Sequence, residues 1–206
     1  MDKDDQRVIA LYTRFFEKFG PTHRALDWTS AEGQNERFSR FLDLGLENGD
    51  SVLDVGCGLG DFLAFTRERG LILAYTGLDM TPAMIDYCQA TYPNDRFHKG
   101  SLLDTPLPWG ERRFDWVVAS GIFAHRRHEP WAYMCALVDR MKDLALKGVA
   151  FNAQSTRAPY PELWTLFHAD PDQTREYCTR PGWTVIVRPT RDRSDFTTYL
   201  WRTPPE

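Results

Sequence analysis

The chain has 206 residues, 42% of them hydrophobic and 14% aromatic, and a formal net charge of −4 at pH 7. This length and composition predict one folded domain with a sizeable core and exclude a disordered or fibrous chain. The net charge is small and no basic stripe is present, so the sequence gives no indication of a nucleic-acid partner. No apolar run approaches the roughly 20 residues that a membrane span needs.

The N-terminal segment, residues 1–50, contains two predicted helices, from Val8 to Phe19 and from Ala31 to Leu46. Apolar residues recur there at helical spacing, and the loop GPTHRALDW, residues 20–28, separates the helices. The charged stretch MDKDDQRVIA lacks the apolar region of a secretory signal, so we expect a cytoplasmic protein. We expect this helical segment to cap the site that the rest of the chain forms.

A glycine loop follows the first predicted strand in the sequence VLDVGCGLGDF, residues 52–62. Alternate positions from Gly56 to Gly60 are glycine, which permits a tight turn and lets the backbone approach a ligand at the next helix N-terminus. A dinucleotide-binding loop has the spacing GxGxxG, but Asp61 stands here in place of the third glycine. Asp54, at the end of the strand, would repel a pyrophosphate and attract an ammonium or sulfonium group.

Strands and helices alternate after the glycine loop. The second predicted strand ends at Asp79, where a carboxylate can hold the hydroxyls of a ribose. The further elements, in chain order, are a helix capped by Thr81 and reaching Tyr92, a strand at Arg96–His98, the strand FDWVVAS, a helix at Glu129–Lys147 ended by Gly148, the strand GVAFNAQ, a helix with a capping box at Asp170, and the hairpin strands WTVIVR and DFTTYLWR. This alternation predicts right-handed βαβ units and a mainly parallel sheet.

Four segments in this order, VLDVGCGLGDF, GLDMTPAMI, GSLLDTPLP and FDWVVASGIF, resemble those of the class I S-adenosylmethionine-dependent methyltransferases. The resemblance implies an α/β fold that is Rossmann-like and doubly wound, with a mainly parallel seven-stranded sheet and an antiparallel last strand. It implies a single domain over residues 1–206, in which 1–50 form the helical cap and 51–206 the binding core. The implied cofactor is S-adenosyl-L-methionine, and its product is S-adenosyl-L-homocysteine.

The resemblance also implies which residues bind the cofactor. Asp79 would take the ribose hydroxyls, and Met80 would lie against the adenine. By their own chemistry, Arg37 could pair with the methionine carboxylate and Trp28 could face the sulfonium. Many members of the family carry an acid where this chain has Ser101, which makes a weaker acceptor for the adenine amino group. The full set is Trp28, Arg37, Asp54, Gly56, Cys57, Gly58, Asp79, Met80, Ser101, Leu102, Ser120 and Gly121, the last two offering backbone groups to the methionine amino end.

Candidate acceptor-side residues follow the fourth and fifth strands. The segment IFAHRRHEP carries His125 and His128, either of which could remove a proton from an oxygen or nitrogen acceptor. Tyr160, with Asn152 and Gln154, could orient that acceptor, and Trp164 could form a wall of its pocket. We expect a small-molecule acceptor. Arginines recur in these loops and would suit an acceptor with a carboxylate or phosphate, or else face solvent beside neighbouring acids: Arg126, Arg127, Arg157, Arg188, Arg191 and Arg193.

Two alternatives to methyl transfer use the same cofactor site. The related aminopropyltransferases take a decarboxylated cofactor, but the cations from Ser120 to His128 argue against a polyamine acceptor. A protein that binds the cofactor without turnover is the other alternative. The four cysteines are scattered without a CxxC pair, which predicts reduced thiols and no metal site. The sequence leaves open whether the chain is a monomer or a homodimer.

Overall fold

The computed structural model of the chain describes residues 2–159 and 164–202. Seven strands in this part of the chain form one sheet, with helices on both faces. The helices are α1 (Lys3–Phe19), α2 (Ala31–Phe41), α3 (Asp61–Glu68), α4 (Pro82–Thr91), α5 (Pro130–Leu144) and α6 (Pro171–Cys178), with short 3-10 helices at His23–Leu26 and Leu42–Leu44. The strands are β1 (Ser51–Val55), β2 (Ala74–Asp79), β3 (Arg96–Lys99), β4 (Phe114–Ala119), β5 (Ala145–Gln154), β6 (Trp183–Pro189) and β7 (Asp195–Arg202).

The strand order is β3-β2-β1-β4-β5-β7-β6. Strands β1 to β5 pair in parallel, whereas β7 runs antiparallel to both β5 and β6. The predicted Rossmann-like sheet with an antiparallel last strand is therefore confirmed. The order reverses between β1 and β4, and in open α/β sheets a ligand crevice forms at such a point, beyond the carboxyl ends of the strands.

Alternate residues of the strands feed two hydrophobic cores, one on each face of the sheet. On one face Phe38 of α2, Phe62 of α3 and Ile85 of α4 pack against the sheet. On the other face Met134 and Met141 of α5 belong to the second core. Helix α2 is thus part of the main packing, whereas α1 has no fully buried residue and lies over α4.

The boundary between α5 and β5 differs from the prediction. The apolar spacing extended the helix to Lys147, but α5 ends at Leu144 and β5 begins at Ala145. Ala145 pairs with Phe114 of β4, and the Lys147 Nζ lies 2.5 Å from Asp50 Oδ1. Sheet pairing and this ion pair therefore place residues from Ala145 onward in a strand, although Ala145 also fits the apolar spacing of the helix.

The N-terminal helices also differ at their ends. Helix α1 begins at Lys3, five residues before the predicted start, because Asp2 and Asp5 form a reciprocal capping box. Helix α2 ends at Phe41 and passes into a 3-10 turn that Gly45 closes with φ +88°. No helix in the described ranges is both long and apolar enough to cross a bilayer.

Candidate functional site

A cavity of about 490 Å³ lies at the carboxyl ends of β1, β2, β4 and β5, and residues of α1 and of the loop after it form part of its wall. Small-molecule sites commonly enclose about 300 to 1,000 Å³. Every residue predicted to bind the cofactor lines this cavity. The fold thus brings together residues from Trp28 to Gly121 that the chain order keeps apart.

The glycine loop forms the floor of the cavity. Its turn is closed by the amides of Gly56 and Cys57, which donate to the Leu78 carbonyl at 2.7 and 3.1 Å. Gly56 and Gly58 adopt φ values of +73° and +53°, in the left-handed region. A Cβ on Gly58 would lie 2.7 Å from Leu26, and one on Gly56 would overlap Ile122. Glycine is therefore required here both by the backbone conformation and by the close packing.

We expect Gly56→Ala to destabilise the fold more than Gly49→Ala. Both glycines have positive φ, so each alanine costs about 1–3 kcal/mol of backbone strain. No atom lies within 4 Å of a Cβ placed on Gly49, whereas Ile122 must move to admit one on Gly56, which adds about 1–3 kcal/mol. Urea denaturation measures the difference, and equal losses in the two variants would contradict the packing argument.

Asp79 connects the glycine loop to the start of α4. Its carboxylate accepts from the Gly58 amide at 3.1 Å and from the Thr81 amide at 2.7 Å. Burial raises the pKa of Asp79, although these hydrogen bonds act in the opposite direction. Because each carboxylate oxygen can accept a second hydrogen bond, Asp79 is able to hold two vicinal hydroxyls.

Asp54 is buried in the cavity wall, and its carboxylate accepts a hydrogen bond of 2.6 Å from the Tyr75 hydroxyl. Burial raises the pKa of Asp54 to about 7, while the bond from Tyr75 lowers it. Tyr75 was not among the predicted site residues. Tyr75 pairs with Val52 in the parallel register of β1 and β2, two residues before Asp54. No local pattern in the sequence indicated that the two side chains meet.

Tyr75→Phe should lower stability more at about pH 8.5 than at about pH 5.5. Above its raised pKa Asp54 is ionised, and a hydrogen bond to a charged group contributes about 1.5–3 kcal/mol against about 0.5–1.5 for a neutral one. Below that pKa the carboxyl is protonated and needs the donor less. Urea denaturation at both pH values tests this, and a pH-independent loss would show that the bond does not stabilise the carboxylate.

Trp28 and Arg37 meet at one wall of the cavity. The Arg37 guanidinium lies 4.6 Å from the Trp28 ring centre, and it pairs with the buried carboxylate of Asp195 at the start of β7. Trp28 packs over Gly121, where a Cβ would approach its ring to 3.0 Å. Arg37 therefore already has a counter-ion within the protein. The sequence-based prediction, in which Arg37 pairs with a ligand carboxylate, did not include Asp195.

The loop after β4 is organised by Asn152 of β5. Its side chain donates to the Ser120 hydroxyl at 3.0 Å and accepts from the Gly121 amide at 2.8 Å. The Gly121 amide is thus engaged within the protein. On the far side of the cavity the Ser101 hydroxyl accepts from the Leu103 amide at 3.2 Å, and Leu102 is buried in the core.

His125 lies in the cavity wall beside Tyr12 of α1. Its Nε2 is 3.2 Å from the Tyr12 hydroxyl, and the two rings meet edge to face. Burial lowers the pKa of His125, with the charge of Asp27 opposing that shift. The imidazole is therefore neutral at pH 7 and able to accept a proton. Tyr12 was missed in the sequence because nothing in its own helix marks the pairing with a residue so distant along the chain.

His128 does not share this position, which corrects its predicted role as a base. It is exposed and does not line the cavity, because the 2.7 Å bond from its amide to Asp4 holds the loop against α1. Trp164 is 80% exposed, so it forms no wall of the cavity. Tyr160 lies outside the described residues.

The arginines of these loops do not all lie at the cavity. Arg157 pairs with Asp172 and Arg188 with Asp43, both on the protein surface. The side chain of Arg126 donates to the Leu166 carbonyl, and of this group of arginines Arg127 is the one that lines the cavity. Its guanidinium is bonded to Asp5 at 2.7 Å. The solvated-loop interpretation therefore describes most of these residues.

Comparison with known proteins identifies a domain within the chain. A family model described as a methyltransferase domain matches residues 52–143, which include the glycine loop, Asp79 and the loop after β4. Residues 52–143 are therefore a methyltransferase domain, and the protein is an S-adenosylmethionine-dependent methyltransferase. This methyltransferase uses S-adenosylmethionine as its cofactor.

Curated relatives agree with this assignment. The methyltransferase is 29% identical over 138 residues to a Mycobacterium tuberculosis protein provisionally named a methyltransferase, covering 63% of this chain and 79% of that protein. It is 29% identical over 130 residues to the demethylmenaquinone methyltransferase of Thermotoga maritima, covering 61% and 54%. It is 34% identical over 76 residues to the malonyl-[acyl-carrier protein] O-methyltransferase of Serratia marcescens, covering 36% and 29%.

Solved structures share the fold. Magnesium protoporphyrin IX methyltransferase from Synechocystis, crystallised with bound S-adenosylmethionine, has a TM-score of 0.67 at 14% identity and covers 98% of this chain and 99% of its own. A [4+2]-cyclase, SpnF, has a TM-score of 0.65 at 14% identity, with coverage of 84% and 81%. Because a cyclase shares the architecture, the fold alone does not define the reaction.

The cavity of this methyltransferase fits the cofactor. Gly56 and Gly58 line the cavity with main-chain atoms alone, so a ligand there can contact the backbone. Two buried carboxylates, Asp54 and Asp79, suit a ligand with a positive sulfonium and ammonium and a ribose diol. The described residues contain no cluster of three or more His, Cys, Asp or Glu that could hold a metal ion.

Proposed function

We propose that this methyltransferase transfers a methyl group to an oxygen or nitrogen atom of a small-molecule acceptor, with His125 as the general base. The observation that carries the proposal is the position of a neutral imidazole, bonded to Tyr12, in the same cavity as the glycine loop. An oxygen or nitrogen acceptor commonly loses a proton during transfer, and a histidine that is neutral at pH 7 can receive it.

The cofactor, when bound, supplies an electrophilic methyl group on its sulfonium. We propose that Asp79 holds the ribose and that Met80, Ser101 and Leu102 surround the adenine. The other residues proposed to contact the cofactor are Trp28, Arg37, Asp54, Gly56, Cys57, Gly58, Ser120 and Gly121. The chain contributes to catalysis mainly by holding the acceptor in line with the reacting carbon and by excluding water.

The protonation states of the two rings support this arrangement. Burial raises the pKa of Tyr12, so its hydroxyl keeps its proton and can orient the imidazole by hydrogen bonding. For His125 to act as a base, its Nε2–H donates to the Tyr12 hydroxyl oxygen, which leaves Nδ1 to accept the proton. Tyr12 is thus proposed as a positioning residue for the base.

The size of the cavity favours a small acceptor. A volume of about 490 Å³ must hold the reacting parts of both ligands. The relatives carry names that refer to acceptors as different as demethylmenaquinone and trans-aconitate, so their names do not select one acceptor for this chain. The choice of acceptor must come from the side chains around His125.

Incubation with methyl-labelled S-adenosylmethionine and a metabolite extract tests the proposal. We expect a labelled product whose new methyl group mass spectrometry assigns to oxygen or nitrogen. A methyl group on carbon or sulfur would contradict the proposed acceptor atom. Calorimetric binding of the cofactor without any label transfer would support the catalytically silent alternative, and an aminopropyl product from the decarboxylated cofactor would support the other one.

A further inference from the structure

A buried arginine near His125 in the sequence, Arg127, is already paired with a carboxylate of the protein, Asp5. Arg127, which lines the cavity, has a side chain that is 6% exposed, and it forms a 2.7 Å ion pair with Asp5 of α1, which is 13% exposed. The guanidinium carbon of Arg127 also lies 3.7 Å from the centre of the Tyr133 ring. Asp5 is itself held by the α1 capping box with Asp2. An entering anion would have to displace a carboxylate that the helix already positions.

The other charged residues that line the cavity also disfavour an anionic acceptor. Among the described residues that line it, the cationic side chains are Arg37 and Arg127, and Asp195 neutralises Arg37. Three lining carboxylates, Asp27, Asp54 and Asp79, have no cationic partner within salt-bridge distance in the described part of the chain. The cofactor brings one net positive charge into the cavity near Asp54 and Asp79, and each of the two lining arginines already has a carboxylate partner. The lining described here therefore offers no uncompensated cation to an additional negative charge.

Several other residues that line the cavity are apolar or aromatic. Val8 of α1, Leu137 of α5 and Leu166 line the cavity together with the rings of Tyr12 and Tyr133. Such a surface gains free energy by burying apolar ligand atoms, and its hydroxyl groups can bond a neutral polar group.

We propose that the acceptor of this methyltransferase is an uncharged, largely apolar molecule with a hydroxyl or an uncharged nitrogen to be methylated, and that the Arg127–Asp5 pair excludes carboxylate- and phosphate-bearing acceptors. This inference rests on the proposed function, since it concerns the acceptor half of the same cavity. It replaces the anionic acceptor that the arginine-rich loops suggested.

The test separates a metabolite extract by anion exchange at about pH 7.5 before incubation with methyl-labelled cofactor. Fractionation before the reaction matters because methylating a carboxylate would remove its charge. We expect transfer to the unbound, reversed-phase-retained fraction to exceed transfer to the anion-bound fraction by about tenfold or more, because burying an anion without a counter-ion is costly. Transfer confined to the anion-bound fraction would overturn the inference and leave the proposed function intact. No transfer to any fraction, with cofactor binding retained, would overturn both.

Two matched variants test the ion pair itself. Asp5→Asn keeps a capping side chain but removes the charge that neutralises Arg127, so we expect its relative transfer to the anion-bound fraction to rise severalfold. Asp4→Asn is the control, because Asp4 lies on the same helical turn but pairs with Arg7 and the His128 amide. Unchanged cofactor affinity and circular dichroism show that each variant is folded. An identical acceptor profile in the two variants would overturn the role of the pair.

Discussion

Replacing His125 with glutamine is expected to lower kcat by about 100- to 10,000-fold, the usual contribution of a general base, with little change in cofactor affinity. Glutamine can keep a hydrogen bond to Tyr12, but it has no nitrogen that can accept a proton at neutral pH. Initial rates of label transfer measure kcat, and calorimetry measures cofactor affinity. His128→Gln is the matched control, since that side chain is exposed outside the cavity.

The pH profile gives an independent test of the same assignment. Burial lowers the pKa of His125, so the imidazole is neutral above that lowered value and protonated below it. The rate of the natural protein should therefore be flat from neutral pH upward and fall as the pH drops through the lowered pKa. His125→Gln should lose this acid limb. A variant that keeps both its rate and the limb would assign the base to another group.

Asp79→Ala is expected to weaken binding of S-adenosylmethionine by about 1–3 kcal/mol, because it removes charge-assisted hydrogen bonds to the ribose hydroxyls. It also removes the acceptor for the Gly58 and Thr81 amides, which loosens the glycine loop in the cofactor-free protein. Calorimetric titration with S-adenosylhomocysteine measures the affinity without turnover.

Asp86→Ala on the exposed face of α4 is the control for this loss. It removes a carboxylate of the same charge near the same helix, but Asp86 does not line the cavity. Equal affinities of the Asp79→Ala and natural proteins would refute the assignment of Asp79 to the ribose. Equal weakening in both variants would instead indicate a general electrostatic effect.

Features encoded locally were predictable from the sequence. The spacing of Gly56 and Gly58 indicated the loop because only glycine tolerates both its positive φ and its close neighbours. Asp54 and Asp79 could be placed at the cavity because each ends a parallel strand, and parallel strands end at the same edge of the sheet. The predicted cofactor residues that end or follow these strands line one cavity for this reason.

The end of α5 shows where local patterns failed. Residues after Leu144 continue a helical apolar spacing, yet Ala145 enters β5 because its partner in β4 is available. A short apolar run fits either a helix or a buried strand, and tertiary pairing selects between them.

By itself the sequence determined the fold class, the cofactor loop and the carboxylates at its edge, since each depends on residues only a few positions apart. Only the tertiary structure decided which polar groups meet across the cavity. Tyr12 bonds His125 over a separation of 113 residues, Arg127 bonds Asp5 over 122, and Arg37 pairs with Asp195 over 158. Such pairings follow from the packing of α1 and β7 around the sheet, and that packing is set by the whole core and by no local spacing.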